Sequence, residues 1–162
     1  MCYYVDNNFT KSEIAKTFKV GLDPVLKFNK ESQFSAFKHE STAIITDEDP
    51  TLVSLGKWGL MPSWAKDDFW KQTLNAKIET ITELNSFKNV PQNRCVLLCK
   101  GFYEWKWLDG KGKNKEKFKI FTENSDVFSL GAIYEIYKNE ITFSVVTTEA
   151  NDLMQEIHNI KK

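Results

Sequence analysis

From residue 94 to residue 147 the chain reads as β-prone runs broken by turn strings. That alternation limits the fold more than any other feature of the sequence. Residues 94–107 are rich in aromatic and branched side chains, which suit a pleated, half-buried surface. They are followed by Asp109-Gly-Lys-Gly-Lys-Asn114, a hairpin-type loop, and then by a strand over 117–122. Two further strands, 127–137 and 141–147, are joined around Lys138-Asn139. Upstream, strands over 43–46 and 52–55 flank the turn string Asp47-Glu-Asp-Pro50. Helix signals are few. Thr10-Lys-Ser-Glu13 has the form of a capping box and starts a helix through Ile14 to Phe18. A short helix is expected over 81–87, and a last one over 149–158 with Thr148 as its cap. Many short strands with little helix give an α+β fold, an antiparallel, barrel-like β core with a few short flanking helices. No repeat or linker interrupts it, so one domain over 1–162 is expected.

Composition narrows the class. A chain of 162 residues that is 41% hydrophobic buries enough surface for a core without disulfides or metals. No window holds eighteen apolar residues, so no membrane partner is expected. The start lacks a basic segment followed by an apolar run, the mark of a secretory signal. Three cysteines without an export signal point to reduced thiols and a cytoplasmic location. Cys95 and Cys99 lie four apart on an expected strand. With two histidines in the chain and no second C-x-x-C, they are core thiols, and neither a metal nor a cofactor is expected. His39 sits in a polar stretch and is expected to be exposed. The net charge is zero, which leaves an anionic partner open. All but one of the 22 basic residues are lysines, the exception being Arg94. The lysine-rich run 111–119 is expected to be a solvated hairpin tip.

Cys2 follows the initiator methionine directly. Trimming of Met1 would place an α-amine titrating near ~8 and a thiol titrating near ~8.5 on one residue. Such a 1,2-aminothiol condenses with an aldehyde in two steps. The amine forms an imine, and the thiolate closes a five-membered thiazolidine. No internal lysine or cysteine can do both. On position alone, Cys2 also fits a small hydrophobe at a strand start.

Four more strings stand out. Trp58-Gly-Leu-Met-Pro-Ser-Trp64 sets two tryptophans around a glycine and a proline. Asn75-Ala-Lys77-Ile-Glu79-Thr80 packs amide, cation and carboxylate together. Arg94-Cys95, with Gly101-Phe-Tyr-Glu104-Trp105, puts a carboxylate inside an aromatic stretch. Ile157-His158 ends the last expected helix. Each has an ordinary structural explanation: tryptophans as core, Asn75 in a turn, Glu104 facing outward on a strand, His158 at a helix C-terminus.

Together, in order, and with the Met-Cys start and Thr147-Thr-Glu-Ala-Asn151, these strings resemble the SRAP family (SOS-response-associated peptidase, or abasic-site processing protein). The resemblance runs over nearly the whole chain. It implies an SRAP-like fold that recognises abasic sites in single-stranded DNA and links to them covalently through the N-terminal cysteine. The family is also credited with cleaving its own leading residues, hence peptidase, and with reversing the crosslink, a lyase-like activity. Carried over residue by residue, Cys2 is the nucleophile and Asn75 holds the sugar and the cysteine. Glu104 is the acid/base carboxylate, and His158 transfers protons during crosslinking and reversal. The implied partner is abasic single-stranded DNA, met by a monomer that is cytoplasmic and nucleoid-associated when bound.

The chemistry asks for these groups. An abasic sugar is mostly a closed hemiacetal, so opening it needs a proton donor and acceptor, the task of Glu104. Loss of water from the carbinolamine needs an acid, and histidine titrates in the useful range. Asn75 can donate to an oxyanion or a sugar hydroxyl. Trp64 and Trp105 are expected to stack flanking bases, and Lys77 and Arg94 to take phosphates. The chain also departs from the family pattern. Cys2 continues into Tyr3-Tyr4 instead of Gly-Arg. Lys77 replaces arginine, keeping charge but losing the bidentate fork. The family's C-terminal segment beyond His158-Asn-Ile-Lys-Lys162 is missing from this sequence. Two other functions fit the residues: an N-terminal-nucleophile amidohydrolase with the thiol attacking a carbonyl, and a non-catalytic single-stranded DNA-binding module.

Overall fold

The computed structural model describes residues 1–90 and 92–157. Along the chain run β1 (Tyr4–Asp6), α1 (Lys11–Phe18), β2 (Phe34–Ser35), β3 (Ser41–Thr46), β4 (Ser54–Trp58), β5 (Asn75–Lys77), β6 (Arg94–Cys99), β7 (Gly101–Trp107), β8 (Lys115–Ile120), β9 (Phe128–Tyr137), β10 (Glu140–Thr147) and α2 (Asp152–Ile157). The fold is α+β, with a closed five-stranded barrel beside a four-stranded sheet.

The barrel runs β4-β3-β6-β9-β10 and closes where β10 pairs with β4. Its pairs are antiparallel except at that seam, where Ile141 to Phe143 lie parallel to Gly56 to Trp58. The antiparallel expectation is therefore corrected at one edge. After β4 the chain loops round and returns in the same direction, so β5 takes the next stretch of the same edge, with Val145 opposite Asn75. The second sheet, β2-β1-β7-β8, is antiparallel throughout. The expected single run 94–107 is thus two strands in two sheets, divided at Lys100, whose N–H donates to Asp6 O at 2.7 Å.

Side-chain alternation builds both faces of the barrel wall. Ile44 points inward with Leu97, Trp58 and Phe143, together with Cys95 and Cys99, which are core thiols as expected. Ala43 and Ile45 point outward and pack with Phe9, Ile14, Leu98 and Val127 under α1. Space inside is tight. A Cβ on Gly56 would lie 2.7 Å from Ile44 Cδ1 and 2.9 Å from Phe143 Cδ1.

The capping box on α1 is present: Thr10 Oγ1 accepts from Glu13 N at 3.1 Å, and Glu13 Oε2 from Thr10 N at 2.6 Å. Three local expectations are corrected. Residues 81–87 form successive turns, not a helix. Glu83 N and Phe87 N donate three residues back, and Ile81 and Phe87 join a cluster with Leu60 and Ala76. The last helix starts later than expected. Asn151 Oδ1, not Thr148, caps it by accepting from Met154 N at 2.9 Å. His39 is half-buried, its ring stacked on Trp70 with centroids 4.6 Å apart and its Nδ1–H donating to Trp58 O at 2.8 Å.

The string that begins at Trp58 anchors the chain between β4 and β5. Trp58 is fully buried, and its Nε1–H donates to Leu74 O at 2.8 Å. Gly59 has φ +114°, and a Cβ there would meet Trp70 Cβ at 2.9 Å. Thr73 Oγ1 donates to Leu60 O at 2.6 Å. These bonds hold residues 73 and 74 against the barrel and so deliver Asn75 at the start of β5.

Candidate functional site

A cleft of about 640 Å³ opens between the N-terminus, β5, β7 and the segment after β10. Met1, Cys2, Lys77, Glu79, Glu104 and Asn151 line it, with Phe102, Leu130 and Val145 among its apolar walls. Three strands deliver the polar groups. β1 draws the N-terminus against β7, because Val5 pairs with Phe102. β7 alternates so that Glu104 and Phe102 face the cleft. β5 brings Asn75 alongside the end of β10.

Cys2 is buried, and its backbone N–H donates to Asn75 Oδ1 at 3.2 Å. Asn75 Nδ2 is then left buried without a hydrogen-bond partner among the described residues. An orphaned buried donor is costly, and native structures keep few of them. Here it is a free N–H₂ group beside the thiol-bearing residue. Glu104 is also buried, and its Oε1 lies 3.4 Å from the α-ammonium of Met1. Tyr3 donates its hydroxyl proton toward Met1 Sδ at 3.4 Å. The Cys2 thiol is buried and donates toward Tyr4 O at 3.8 Å. Burial pushes its pKa well up, and the charge of Glu104 pushes it further. Such a thiol stays protonated at neutral pH and is a poor nucleophile.

Of the eight residues expected from sequence, the structure gathers four around this cleft: Cys2, Asn75, Glu104 and, at the rim, Lys77. Trp105 stands on the opposite face of β7 from Glu104, half-buried, its ring edge-on to Tyr4 at 5.0 Å. Trp64 is 53% exposed and borders a separate depression with Tyr137 and Lys138. Arg94 is exposed at the start of β6, where its N–H donates to Asp47 Oδ2 at 3.1 Å, and it does not line the cleft. His158 lies outside the described residues.

Two participants carry no role in the sequence pattern. Glu79 Oε1 accepts from Thr148 Oγ1 and from Glu149 N, both at 3.0 Å, and its own backbone N–H first, then these two bonds, hold its carboxyl below the usual range. It thereby fastens the rim segment between β10 and α2. Met1 is the other, filling part of the cleft. Glu79 stands inside the string 75–80, but its partner lies 70 positions away and is invisible to local pattern. Among the described residues, no three side chains of His, Cys, Asp or Glu gather as a metal site. No described helix is long and apolar enough to cross a membrane.

Comparison with known proteins places this arrangement. The family described as SOS response associated peptidase (SRAP) matches residues 1–160. The chain belongs to the SRAP family. Abasic site processing protein YoaM of Bacillus subtilis is 36% identical over 124 residues, which are 72% of this chain and 54% of that protein. The mouse abasic site processing protein HMCES is 36% identical over 84 residues, 48% of this chain and 24% of that one. The chain spans about half the length of the Bacillus relatives it matches. A solved protein from Bacteroides thetaiotaomicron superposes with a TM-score of 0.84 at 27% identity, covering 99% of this chain and 74% of that chain. A second, from Bordetella bronchiseptica, gives 0.80 at 17% identity, with 99% of this chain and 80% of that chain covered, and bears on the fold alone.

Proposed function

We propose that this SRAP-family chain is an abasic-site processing protein, and that it captures abasic single-stranded DNA through a thiazolidine formed on Cys2. The observation that carries the reading is the meeting of Cys2, Asn75 and Glu104 at one cleft, with Asn75 Nδ2 buried and unpartnered among the described residues. The names of the relatives, abasic site processing proteins, point the same way.

The chemistry begins with Met1. Hydrolysis of the Met1–Cys2 peptide bond consumes one water, releases methionine and creates the Cys2 α-amine. This self-processing is the peptidase step of the proposal. Departure of Met1 also vacates its part of the cleft and ends the ion pair between its ammonium and Glu104. The sugar of an abasic nucleotide then enters. It has no base to displace, so a small cleft can select it by shape. Glu104 exchanges the proton that opens the hemiacetal to the aldehyde. The Cys2 amine attacks C1′ to give a carbinolamine, which loses one water to become an imine. His158 supplies the proton for that departure. The Cys2 thiol adds to the imine carbon and its proton passes to the nitrogen, closing the ring. One C–N bond and one C–S bond form, and one water leaves. Asn75 Nδ2 donates to the sugar or to the developing oxyanion. Reversal by the same groups would be the lyase-like activity. Lys77, which lines the rim of the cleft, would take a flanking phosphate.

The test is a denaturing gel. Single-stranded DNA with one abasic site should give a heat-resistant shifted band with the wild-type chain and none with Cys2→Ala. Binding without any such band would leave a non-catalytic DNA-binding module. Turnover of a small amide without an adduct would indicate an amidohydrolase.

A further inference from the structure

Met1 is joined through its carbonyl carbon to the nitrogen of Cys2, and it lines the cleft. It therefore stands where an aldehyde captured on that nitrogen would stand. The carbonyl carbon takes the place of the aldehyde carbon C1, and Cα that of C2. Cβ, Cγ, Sδ and Cε then trace an unbranched tail from C3 to C6. Met1 is thus the outline of a straight six-carbon aldehyde. Two polar contacts fix that outline. The α-ammonium, at the C2 position, lies 3.4 Å from Glu104 Oε1, and Sδ, at the C5 position, accepts from the Tyr3 hydroxyl at 3.4 Å.

The walls of the cleft away from its polar groups are apolar. Phe102, Leu130, Val145, Val146 and Met154 line it, and all but Val145 are half-buried. Phe102 and Leu130 rest on the barrel core, so this wall is formed before any ligand arrives. An apolar cleft with a few polar groups at one end is the usual form of a small-molecule site. A sugar phosphate, rich in oxygen, gains little from such a wall. An alkyl chain gains in proportion to the apolar area it buries. Met1 is 47% exposed, so the fold covers about half of the outline, and its departure opens that space to a chain of the same shape.

We propose that the chain freed of Met1 has a second activity at the same cysteine: it captures free, unbranched aliphatic aldehydes of about six carbons, with the alkyl tail in the space that Met1 leaves, against Phe102, Leu130 and Met154. The Cys2 amine adds to the aldehyde carbon, one water leaves, and the thiol adds to the resulting imine while its proton passes to the nitrogen. One C–N bond and one C–S bond form, and no oxidant or further reactant is consumed. This activity rests on the reading of Cys2 as an N-terminal aminothiol. It goes beyond that reading in its substrate, which is not DNA, and in a tail site that DNA capture does not use.

The probe is hexanal, set against acetaldehyde and the branched 2,2-dimethylpropanal. The Met1-free chain is made by cleaving an N-terminal fusion directly before Cys2. A peptide of residues 2–6 carries the same aminothiol without the cleft, and corrects for the intrinsic reactivity of each aldehyde. Intact mass after acid quench reads the adduct, at the chain plus the aldehyde minus one water. The ratio of hexanal to acetaldehyde binding constants should be roughly tenfold higher on the chain than on the peptide, the gain from burying about two methylene groups. The branched aldehyde should show no such gain. Met154→Ala, at the half-buried edge of α2, should cut the hexanal gain roughly threefold. A ratio on the chain no higher than on the peptide, an equal gain for the branched aldehyde, or a wild-type ratio in Met154→Ala would overturn the tail site. The same Met1-free preparation is offered an abasic single strand on a denaturing gel. Capture of the strand without preference for hexanal sinks the tail site and leaves the DNA reading standing. Preference for hexanal with no strand captured does the reverse. No acid-stable adduct with any aldehyde removes both.

Discussion

The α-ammonium of Met1 lies 3.4 Å from Glu104 Oε1, a contact between residues 103 positions apart. The carboxylate proposed to open the sugar is thus occupied by the residue that blocks the amine. Glu104→Ala should slow crosslinking by roughly 10²-fold, the ordinary contribution of a general acid–base group. Affinity for DNA should stay within about twofold. Single-turnover gels and anisotropy on the same preparation separate the two, and an equal loss in both would mark Glu104 as structural.

Asn75 offers a cleaner separation. Its Oδ1 accepts from Cys2 N, while its Nδ2 has no partner among the described residues. Asn75→Asp retains an acceptor toward Cys2 and removes the donor. The crosslinking rate should fall on the order of 10²-fold, as when one oxyanion donor is lost. The thermal midpoint should change little, because the donor removed was unsatisfied in the fold. A large drop in midpoint with an unchanged rate would reverse the assignment.

Trp58 tests how the site is held. Trp58→Phe removes the Nε1–H donor and leaves Leu74 O without it in the core. A cost of about 1–3 kcal/mol is expected in urea unfolding. Because Leu74 precedes Asn75, crosslinking should slow as well. A stability loss alone would show that β5 keeps its place without this bond.

The buried thiols set an alkaline limit. Cys99 is pushed up to about 12 by burial, and Cys95 is raised further by burial and by the charge of Asp47. A pKa raised on folding means that the stability is fully present below the unfolded value and is lost as pH climbs toward the folded one. Stability should therefore decline above pH 9, by about 1.4 kcal/mol per pH unit for each such thiol. Cys95→Ala should decline by about that much less per unit between pH 9 and 12. Parallel curves for variant and wild type, followed by chemical unfolding at several pH values, would contradict it.

Features with local causes were legible in the sequence. The Thr10–Glu13 capping box is an exchange within four residues, and the turn around Lys138-Asn139 has both residues at positive φ. Strand existence from residue 94 onward was legible too, through alternation. What failed were features set by distant partners. The single run 94–107 divides at Lys100 because β6 and β7 pair within different sheets. β5 is three residues long and exists only by lying parallel to β10. Thr148 looked like a cap, yet Glu79 holds it across the rim. Within the candidate site, the ordered strings single out Cys2, Asn75 and Glu104, which the fold brings close together. That Met1 lines the cleft beside Glu104, and that Trp105 faces away from Glu104, depended on pairing no local pattern records.

The central claim is the ring formed on Cys2, and the intact mass of the DNA adduct tests it most directly. The predicted value is the mass of the chain without Met1, plus the abasic strand, minus one water. Adducts that all retain Met1, or a mass without loss of water, would contradict it.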